Sequence, residues 1–304
     1  MSSLDQIRIA RACLLRLAYF PHDDLIQFVT RYGPVRAVER LLDRAAPPSV
    51  LNGLRDQATL DDAHHDLRRA PLIGARLLIP EDPNWPREAF TAGIARAPFA
   101  LWVRGEGDLR DRILDAVTIT GAHIATPDRV SLAGSYAADL AAHGMTVVTT
   151  AGYGTDERAL QAATDTASDQ VICLSASGVD ITFPHDNEHL IAGVLESGGL
   201  IVSAAPLGAN QTLRHVRYRG LLAAALGGRL LVLSAPSPLL PQVAIAKRAA
   251  HTGLPVYAVP PSAADTESGI THLIDHGHAV AVDSPAELRE RLDALRRDGN
   301  HSER

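Results

Sequence analysis

From Ile113 onward, short apolar runs alternate regularly with longer segments of helical periodicity, and this alternation limits the possible folds more than any other feature. The intervening segments, such as 131–142 and 240–250, are rich in Ala and Leu. Strands that alternate with helices form a doubly wound, largely parallel sheet, so the predicted fold class is α/β. The predicted strands are residues 117–121, 146–150, 170–174, 200–203, 229–233, 255–259 and 279–282.

The preceding part of the chain has different patterns. Residues 1–70 show apolar positions at three- and four-residue spacing, with breaks at Pro21 and at Tyr32-Gly33-Pro34, which predicts a small all-helical domain. Because its charges nearly cancel, packing or partner docking is favoured over direct DNA contact. Residues 71–112 predict a joint with two extended segments, 113–283 the sheet domain, and 284–304 a closing helix and tail.

The composition narrows the functional class. The start lacks a signal peptide and no apolar run reaches membrane-spanning length, so we expect a cytoplasmic protein without a membrane partner. Cys13 and Cys173 lie in apolar surroundings without metal-ligand spacing, which predicts small buried side chains and no metal site. No cofactor is expected, since the first strand is followed by Gly121-Ala122-His123 instead of the dinucleotide fingerprint.

Charge is distributed unevenly along the chain, whose net charge is −6. Residues 197–264 contain no Asp or Glu. Such segregation predicts a phosphate-binding face on an otherwise acidic protein. The alternative is that parallel strands and their helices are simply poor in acids. The basic residues of this span are Arg214, Arg217, Arg219, Arg229, Lys247 and Arg248.

Residues 145–160 predict a buried strand, a turn with two glycines and the start of a helix. Gly152 and Gly154 would let the backbone approach a ligand closely, and Asp156 stands where a helix N-cap belongs. A helix N-terminus at the carboxyl end of a parallel strand suits an anion such as phosphate. Ordinary βα-turn chemistry explains the same residues equally well.

Four predicted loops at strand ends bring together backbone donors, hydroxyls, an imidazole and guanidinium groups: 121–123, 152–156, 175–178 and 217–219. Guanidinium groups favour phosphate oxygens, whereas no Gly-x-Ser-x-Gly elbow supports nucleophilic catalysis. We therefore predict a binding protein without catalytic residues. The candidate DNA- or phosphate-binding residues are Gly121, His123, Gly152, Gly154, Asp156, Arg214, Arg217, Tyr218, Arg219, Lys247 and Arg248.

These motifs, in their order and spacing, resemble the DprA/Smf family, and its actinobacterial branch in particular. The segments that carry the resemblance are 120–123, 144–156, 177–187, 217–223, 256–260 and 269–277, and the helical start and Pro83-Asn84-Trp85-Pro86 are similar too. The resemblance implies an extended Rossmann-like domain behind a small SAM- or helix-hairpin-like domain. It also implies non-catalytic binding of single-stranded DNA, loading of RecA during uptake of transforming DNA, and a homodimer.

Several family motifs are altered in this chain. The family's Gly-Ser-Arg is Gly121-Ala122-His123 here, and its Arg-Asn-Arg is Arg217-Tyr218-Arg219. Thr150 replaces a glycine and Leu160 a histidine around the retained Gly154 and Asp156. The loop at 236–242 has gained prolines, which lack a backbone donor.

Three functions follow as hypotheses. The first is a DprA-like binder of single-stranded DNA, in which Arg217 and Arg219 contact phosphates and Tyr218 and Phe183 stack on bases. The second is a nucleotide-sensing or partner-docking protein. The third is a LOG-type phosphoribohydrolase, which the turn at 152–155 also resembles, although Arg158 stands in place of the glutamate. For the homodimer, residues 221–228 would supply a face, or else form a core helix.

Overall fold

The computed structural model describes residues 3–18, 20–55, 58–167, 169–262 and 265–302, without the side chains of 298–302. The first part of the chain is helical, as the apolar spacing predicts. Gly33, at φ +73°, ends α2, and Pro34 occupies the first turn of α3. Thr59 and Asp62 form a capping box that begins α5. The helices are α1 (Ser3–Leu17), α2 (Asp23–Tyr32), α3 (Pro34–Leu42), α4 (Pro48–Leu51) and α5 (Leu60–Arg69).

The described residues form a nine-stranded sheet in the order β1-β2-β6-β5-β4-β3-β7-β8-β9. All seven strands predicted from residue 113 onward are present and pair in parallel, which confirms the α/β, Rossmann-like fold class. The strands are β1 (Ala75–Leu78), β2 (Leu101–Arg104), β3 (Ala116–Thr120), β4 (Thr146–Thr150), β5 (Val171–Leu174), β6 (Leu200–Ser203), β7 (Leu230–Val232), β8 (Val256–Ala258) and β9 (Val280–Ala281).

The two extended segments predicted within 71–112 are strands of this same sheet. β1 pairs with β2, and β2 with β6, both antiparallel, so the segment extends one edge of the sheet. Both tryptophans of this segment, Trp85 and Trp102, are buried. The segment therefore packs into the main body of the protein.

Helices cover both faces of the sheet. On one face α7 packs on α8 and α13 on α7, while α10 and α11 pack together on the other face against β3 and β7. After β6 the chain crosses through α10 to β7, which lies beside β3, so the sheet order reverses at that point. These helices are α6 (Leu109–Ile113), α7 (Pro127–Ala142), α8 (Thr155–Thr166), α9 (Glu188–Glu196), α10 (Leu213–Gly227), α11 (Pro241–His251), α12 (Ser268–Asp275) and α13 (Pro285–Ser302).

The hydrophobic core follows from this layering. One buried cluster runs without interruption from Leu14 of α1 through Val117 of β3 to Leu288 of α13. Cys13 and Cys173 are both buried and unpaired, which confirms their prediction as small core side chains. Within the described ranges, no helix combines the length and the apolar character needed to cross a bilayer.

Candidate functional site

A pocket of about 310 Å³ lies at the carboxyl ends of β3 and β4 and extends to Leu230 of β7, beside the point where the strand order reverses. Its walls are residues 118–124, the face of α10 that carries Arg219, and residues 240–242 at the start of α11. Ligands of doubly wound α/β proteins bind at this point of the sheet, because helix N-termini and strand ends meet there. This pocket is therefore the candidate functional site.

Asp156 closes the floor of the pocket and is not the N-cap that the sequence predicted. The helix α8 begins at Thr155, and Gly154 is its N-cap. The buried Asp156 carboxylate accepts hydrogen bonds from Gly121 N at 3.1 Å and from Thr150 Oγ1 at 2.7 Å. Burial raises the pKa of Asp156, while the Thr150 hydrogen bond and the charge of Arg219 oppose the rise. The carboxylate thus ties the end of β3 to the end of β4.

Arg219 and Thr149 bring unsatisfied polar atoms to the pocket. Arg219 Nε and Thr149 Oγ1 are both buried, and neither has a hydrogen-bond partner among the described residues. Burial lowers the pKa of Arg219, whereas the negative charge of Asp156 opposes that decrease. Buried polar groups are usually hydrogen-bonded, so these two donors are unusual in lacking a partner, and both belong to residues that line one pocket. Sequence reasoning selected Arg219 but missed Thr149, which looks like an ordinary strand residue.

The glycines of the predicted anion turn serve a packing role. A Cβ on Gly154 would lie 2.6 Å from the Ala122 carbonyl oxygen, and one on Gly152 would lie 2.9 Å from the His123 ring. The N–H of Gly152 donates to Thr150 Oγ1, and that of Gly121 to Asp156. The predicted phosphate site at the start of α8 is therefore occupied by the loop that follows β3. His123, from that loop, lines the pocket itself.

A different helix directs its N-terminus at the pocket. α11 begins at Pro241 with no side-chain cap, and Leu240, Pro241 and Gln242 line the pocket wall. Proline is favoured at the first helical position, where the N–H has no helical acceptor in any case. The prolines of this loop therefore remove fewer useful donors than the sequence suggested. The positive end of the α11 dipole favours an anion in the pocket.

The remaining candidate residues lie elsewhere. Tyr218 is buried, and its hydroxyl donates to the Arg96 carbonyl oxygen at 2.7 Å, so it is not available for stacking on a base as predicted. Arg217 is exposed and points away from Arg219, because residues two apart lie on different helix faces. Arg214 is likewise exposed, and neither residue lines the pocket.

The acid-free span does not form one cationic face. Lys247 and Arg248 lie in the last turns of α11, outside the pocket lining, and Arg248 donates to the Gly93 carbonyl oxygen. Arg229 lies at the opposite, amino end of β7 and pairs with Asp115 at 3.8 Å. Asp115, from another part of the chain, therefore offsets the charge of Arg229. Lys247 and Arg248 remain predicted binding residues, outside the pocket lining.

Two alternatives depended on other residues. Arg158, which stands where LOG-type enzymes carry a glutamate, is exposed on α8, and its guanidinium lies beside Gly134 of α7. Arg158 does not line the pocket. The pocket lining therefore contains neither the glutamate of LOG-type enzymes nor the residue that replaces it in this chain. Residues 222–226 of α10 are buried against the sheet within one chain, which agrees with a core helix and leaves no dimer face there.

Comparison with known proteins agrees with this architecture. The chain is 29% identical over 291 residues to a Mycobacterium tuberculosis protein described as a DNA processing protein DprA, covering 90% of this chain and 72% of that protein. It superimposes on DNA processing protein A of Streptococcus pneumoniae with a TM-score of 0.73 and 21% identity, covering 94% and 97% of the two chains.

A second solved structure shares the fold. The single-stranded DNA-binding DNA processing protein A of Helicobacter pylori superimposes with a TM-score of 0.60 and 21% identity over 74% of this chain and 96% of that one. The sequence model of the family described as DNA recombination-mediator protein A matches residues 76–293, which include the whole sheet except the first residue of β1. The chain therefore belongs to the DNA recombination-mediator protein A family.

Proposed function

We propose that this protein binds single-stranded DNA, with one backbone phosphate in the pocket beside Arg219. The observation that carries the proposal is the pair of buried donors without partners, Arg219 Nε and Thr149 Oγ1, in a single pocket. A phosphate accepts hydrogen bonds from both kinds of donor, and a guanidinium also supplies charge. The uncapped start of α11 adds the positive end of a helix dipole at the same wall.

The same residues explain why we propose binding without a chemical step. The pocket holds one carboxylate, Asp156, and its oxygens are already occupied by Gly121 N and Thr150 Oγ1. A general base needs a carboxylate that faces the substrate proton. Asp156 therefore acts as a structural group that also lowers the net positive charge beside the phosphate.

The finer role that we propose is presentation of the bound strand to the RecA recombinase. Membership of the recombination-mediator family supports this role. A homodimer is part of the proposal, although residues 222–226 do not provide its face. The test is the rate of RecA filament formation on single-stranded DNA with and without this protein; an unchanged rate would contradict the loading role alone.

The binding site is tested by Arg219→Ala. We expect this change to weaken binding of a short single strand, about 6 nucleotides long, by roughly 10- to 100-fold, because a charged hydrogen bond to phosphate is lost. Fluorescence anisotropy measures the affinity. Arg158→Ala is the matched control, since it removes the same charge from a residue outside the pocket, and its affinity should stay within about twofold of the wild type.

Three outcomes decide the proposal. Equal affinities of Arg219→Ala and wild type, at unchanged melting temperature, would show that the phosphate does not bind beside Arg219. Absence of oligonucleotide binding by the wild type, together with a melting shift caused by mononucleotides, would favour the nucleotide-sensing alternative. Release of a free base from a nucleoside monophosphate would instead support the phosphoribohydrolase alternative.

A further inference from the structure

A second cavity lies in the helical part of the chain. It has a volume of about 610 Å³ and lies between α2, α3, the loop 44–47 and α4. Three of its lining residues are arginines, Arg31, Arg40 and Arg44, and the lining contains one acid, Asp24. Charges that nearly cancel along the sequence of this domain are thus segregated in space. We call this cavity the helical cleft.

Two of these guanidinium groups face an aromatic ring. Arg31 Cζ lies 5.5 Å and Arg40 Cζ 4.8 Å from the centre of the Tyr32 ring, and neither arginine forms an ion pair with a carboxylate of the described residues. Arg40 Nε is also buried without a hydrogen-bond partner among those residues. A buried donor without an acceptor is costly unless a ligand supplies one.

The backbone beside these side chains adopts an unusual conformation. Arg44 has φ +52°, and it is the one non-glycine residue with positive φ among the described residues. Such a conformation costs roughly 1 kcal/mol for a residue with a Cβ, so such residues occur where the surrounding structure requires them. The positive φ of Arg44 turns the chain from the end of α3 into the loop 44–47, which forms a wall of the helical cleft.

Contacts connect the helical cleft to the sheet pocket. Asp23, the first residue of α2, pairs with Arg96 at 2.8 Å, and the Arg96 carbonyl oxygen accepts the hydrogen bond of Tyr218. Tyr218 precedes Arg219, the cation of the pocket. The helix that lines the cleft is therefore joined through two contacts to the helix that lines the pocket.

We propose that the helical cleft is a second contact site for the same DNA strand. Arg40 and Arg31 bind a backbone phosphate, and the Tyr32 ring, which packs on Phe28 at 4.8 Å, positions the two guanidinium groups. The inference rests on the proposed function, since the ligand is the strand whose other phosphate lies beside Arg219. A strand matches the cleft better than an acidic peptide does, because guanidinium groups bind phosphate oxygens bidentately and a strand presents a phosphate at every nucleotide.

The experiment compares strand lengths. The double variant Arg31→Ala with Arg40→Ala should bind a strand of about 30 nucleotides roughly tenfold more weakly than the wild type, but a strand of about 6 nucleotides equally well, because the short strand occupies the pocket alone. The salt dependence should also differ between the strands. For the wild type, the slope of log affinity against log salt concentration should be steeper for the long strand by about 0.7 per additional phosphate bound. The double variant should show the same slope for both strands.

Arg36→Ala is the matched control, because Arg36 is exposed on α3 and does not line the helical cleft. It should leave both affinities unchanged. Equal loss for short and long strands, or no loss for the long strand, would overturn the inference while leaving the pocket proposal intact. Displacement of the long strand by an acidic peptide of equal charge would overturn the assignment to nucleic acid. A wild type that binds neither strand would refute the proposed function and this inference with it.

Discussion

Asp156 and Arg219 both line the sheet pocket, and the charge of each affects the pKa of the other. Asp156 is held by neutral donors, Gly121 N and Thr150 Oγ1, while Arg219 Nε has no partner among the described residues. The carboxylate is therefore satisfied and the guanidinium is not. This asymmetry supports the proposal that the site receives an acceptor, such as a phosphate oxygen, rather than a donor.

The raised pKa of Asp156 gives a testable dependence on pH. A carboxyl group whose pKa is raised by folding binds its proton more tightly in the folded state. Its contribution to the free energy of unfolding therefore decreases as pH increases from the unfolded pKa, about 4, through the folded pKa. In Asp156→Asn this loss is absent, while the amide still provides an acceptor for Gly121 N. We expect the unfolding free energy of the wild type minus that of Asp156→Asn to decrease with increasing pH over this range. Urea denaturation of both proteins at a series of pH values measures this difference in unfolding free energy.

The opposite trend would be informative. If the difference in unfolding free energy increases with pH, the attraction of Arg219 outweighs the burial of the Asp156 carboxylate, and the pKa of Asp156 is lowered instead of raised. Since Asn and Asp have nearly the same shape, a loss of packing would shift the difference equally at every pH. The pH slope, rather than the difference at one pH, is therefore the decisive quantity.

At the scale of elements, the loops that follow β3 and β4 pack directly on each other. Gly154 combines φ +78° with a position where a Cβ would lie within 2.5 Å of the His123 carbonyl oxygen. Gly144, between α7 and β4, has a similar φ of +75° but no atom within 4 Å of its Cβ position. The two glycines share a backbone requirement and differ in steric surroundings.

Alanine substitutions at these two glycines separate the two effects. Gly144→Ala should lower the free energy of unfolding by about 1 kcal/mol, through backbone strain alone. Gly154→Ala should lower it by about 2–4 kcal/mol, because the β3 and β4 loops must also move apart. Chemical denaturation of both variants measures the difference. Equal losses would show that the contact between the loops is soft and contributes little to the shape of the pocket.

The elements themselves were predictable from the sequence to a large extent. Strands such as Thr146–Thr150 are apolar or β-branched throughout because both of their faces are buried, and this local pattern is visible in the sequence. The membership of Ala75–Leu78 and Leu101–Arg104 in the sheet was not visible, since it depends on antiparallel pairing with β6, about a hundred residues away in the chain.

The site was less predictable for the same physical reason. Arg219 was identified from its charge, but its pairing with Asp156 joins residues far apart in sequence. The burial of Tyr218 depends on the carbonyl of Arg96, which no local pattern reveals. Thr149 Oγ1 is notable only because the folded protein offers it no acceptor among the described residues. Local sequence patterns predict helices and strands. Buried donors without a hydrogen-bond partner can be identified only in the folded structure.

At the scale of the whole molecule, the helical part and the sheet share one core and are linked by partly buried ion pairs. Arg8 of α1 binds Asp82 with two hydrogen bonds, at 2.6 and 3.0 Å, and also donates to the Leu77 carbonyl oxygen. Asp82 accepts a further hydrogen bond from Ile79 N at 2.9 Å. The boundary predicted near residue 70 therefore lies within a continuous packing unit, and we expect its two sides to unfold together.

Asp82→Ala tests this coupling. We expect a loss of about 2–3 kcal/mol in the free energy of unfolding, because the change leaves Arg8 and Ile79 N without their partner. The transition should remain single: far-ultraviolet circular dichroism, which reports the helices, should coincide with the fluorescence of the buried Trp85 and Trp102. The control Asp293→Ala removes an exposed partner of Arg296 and should cost less than about 1 kcal/mol.

Separate unfolding transitions of the two signals would contradict the expectation that the helical part and the sheet unfold together. Helices occur in both parts of the chain, so the circular dichroism would then be lost in two steps. If only the second step coincides with the tryptophan transition, α1 to α5 form an independent unit, and the ion pair holds them only loosely to the sheet. The helical cleft could then move relative to the sheet pocket, and one strand would not be held against both in a fixed geometry. A single transition instead means that the two cationic sites keep a constant spacing, which a strand of fixed minimum length must span.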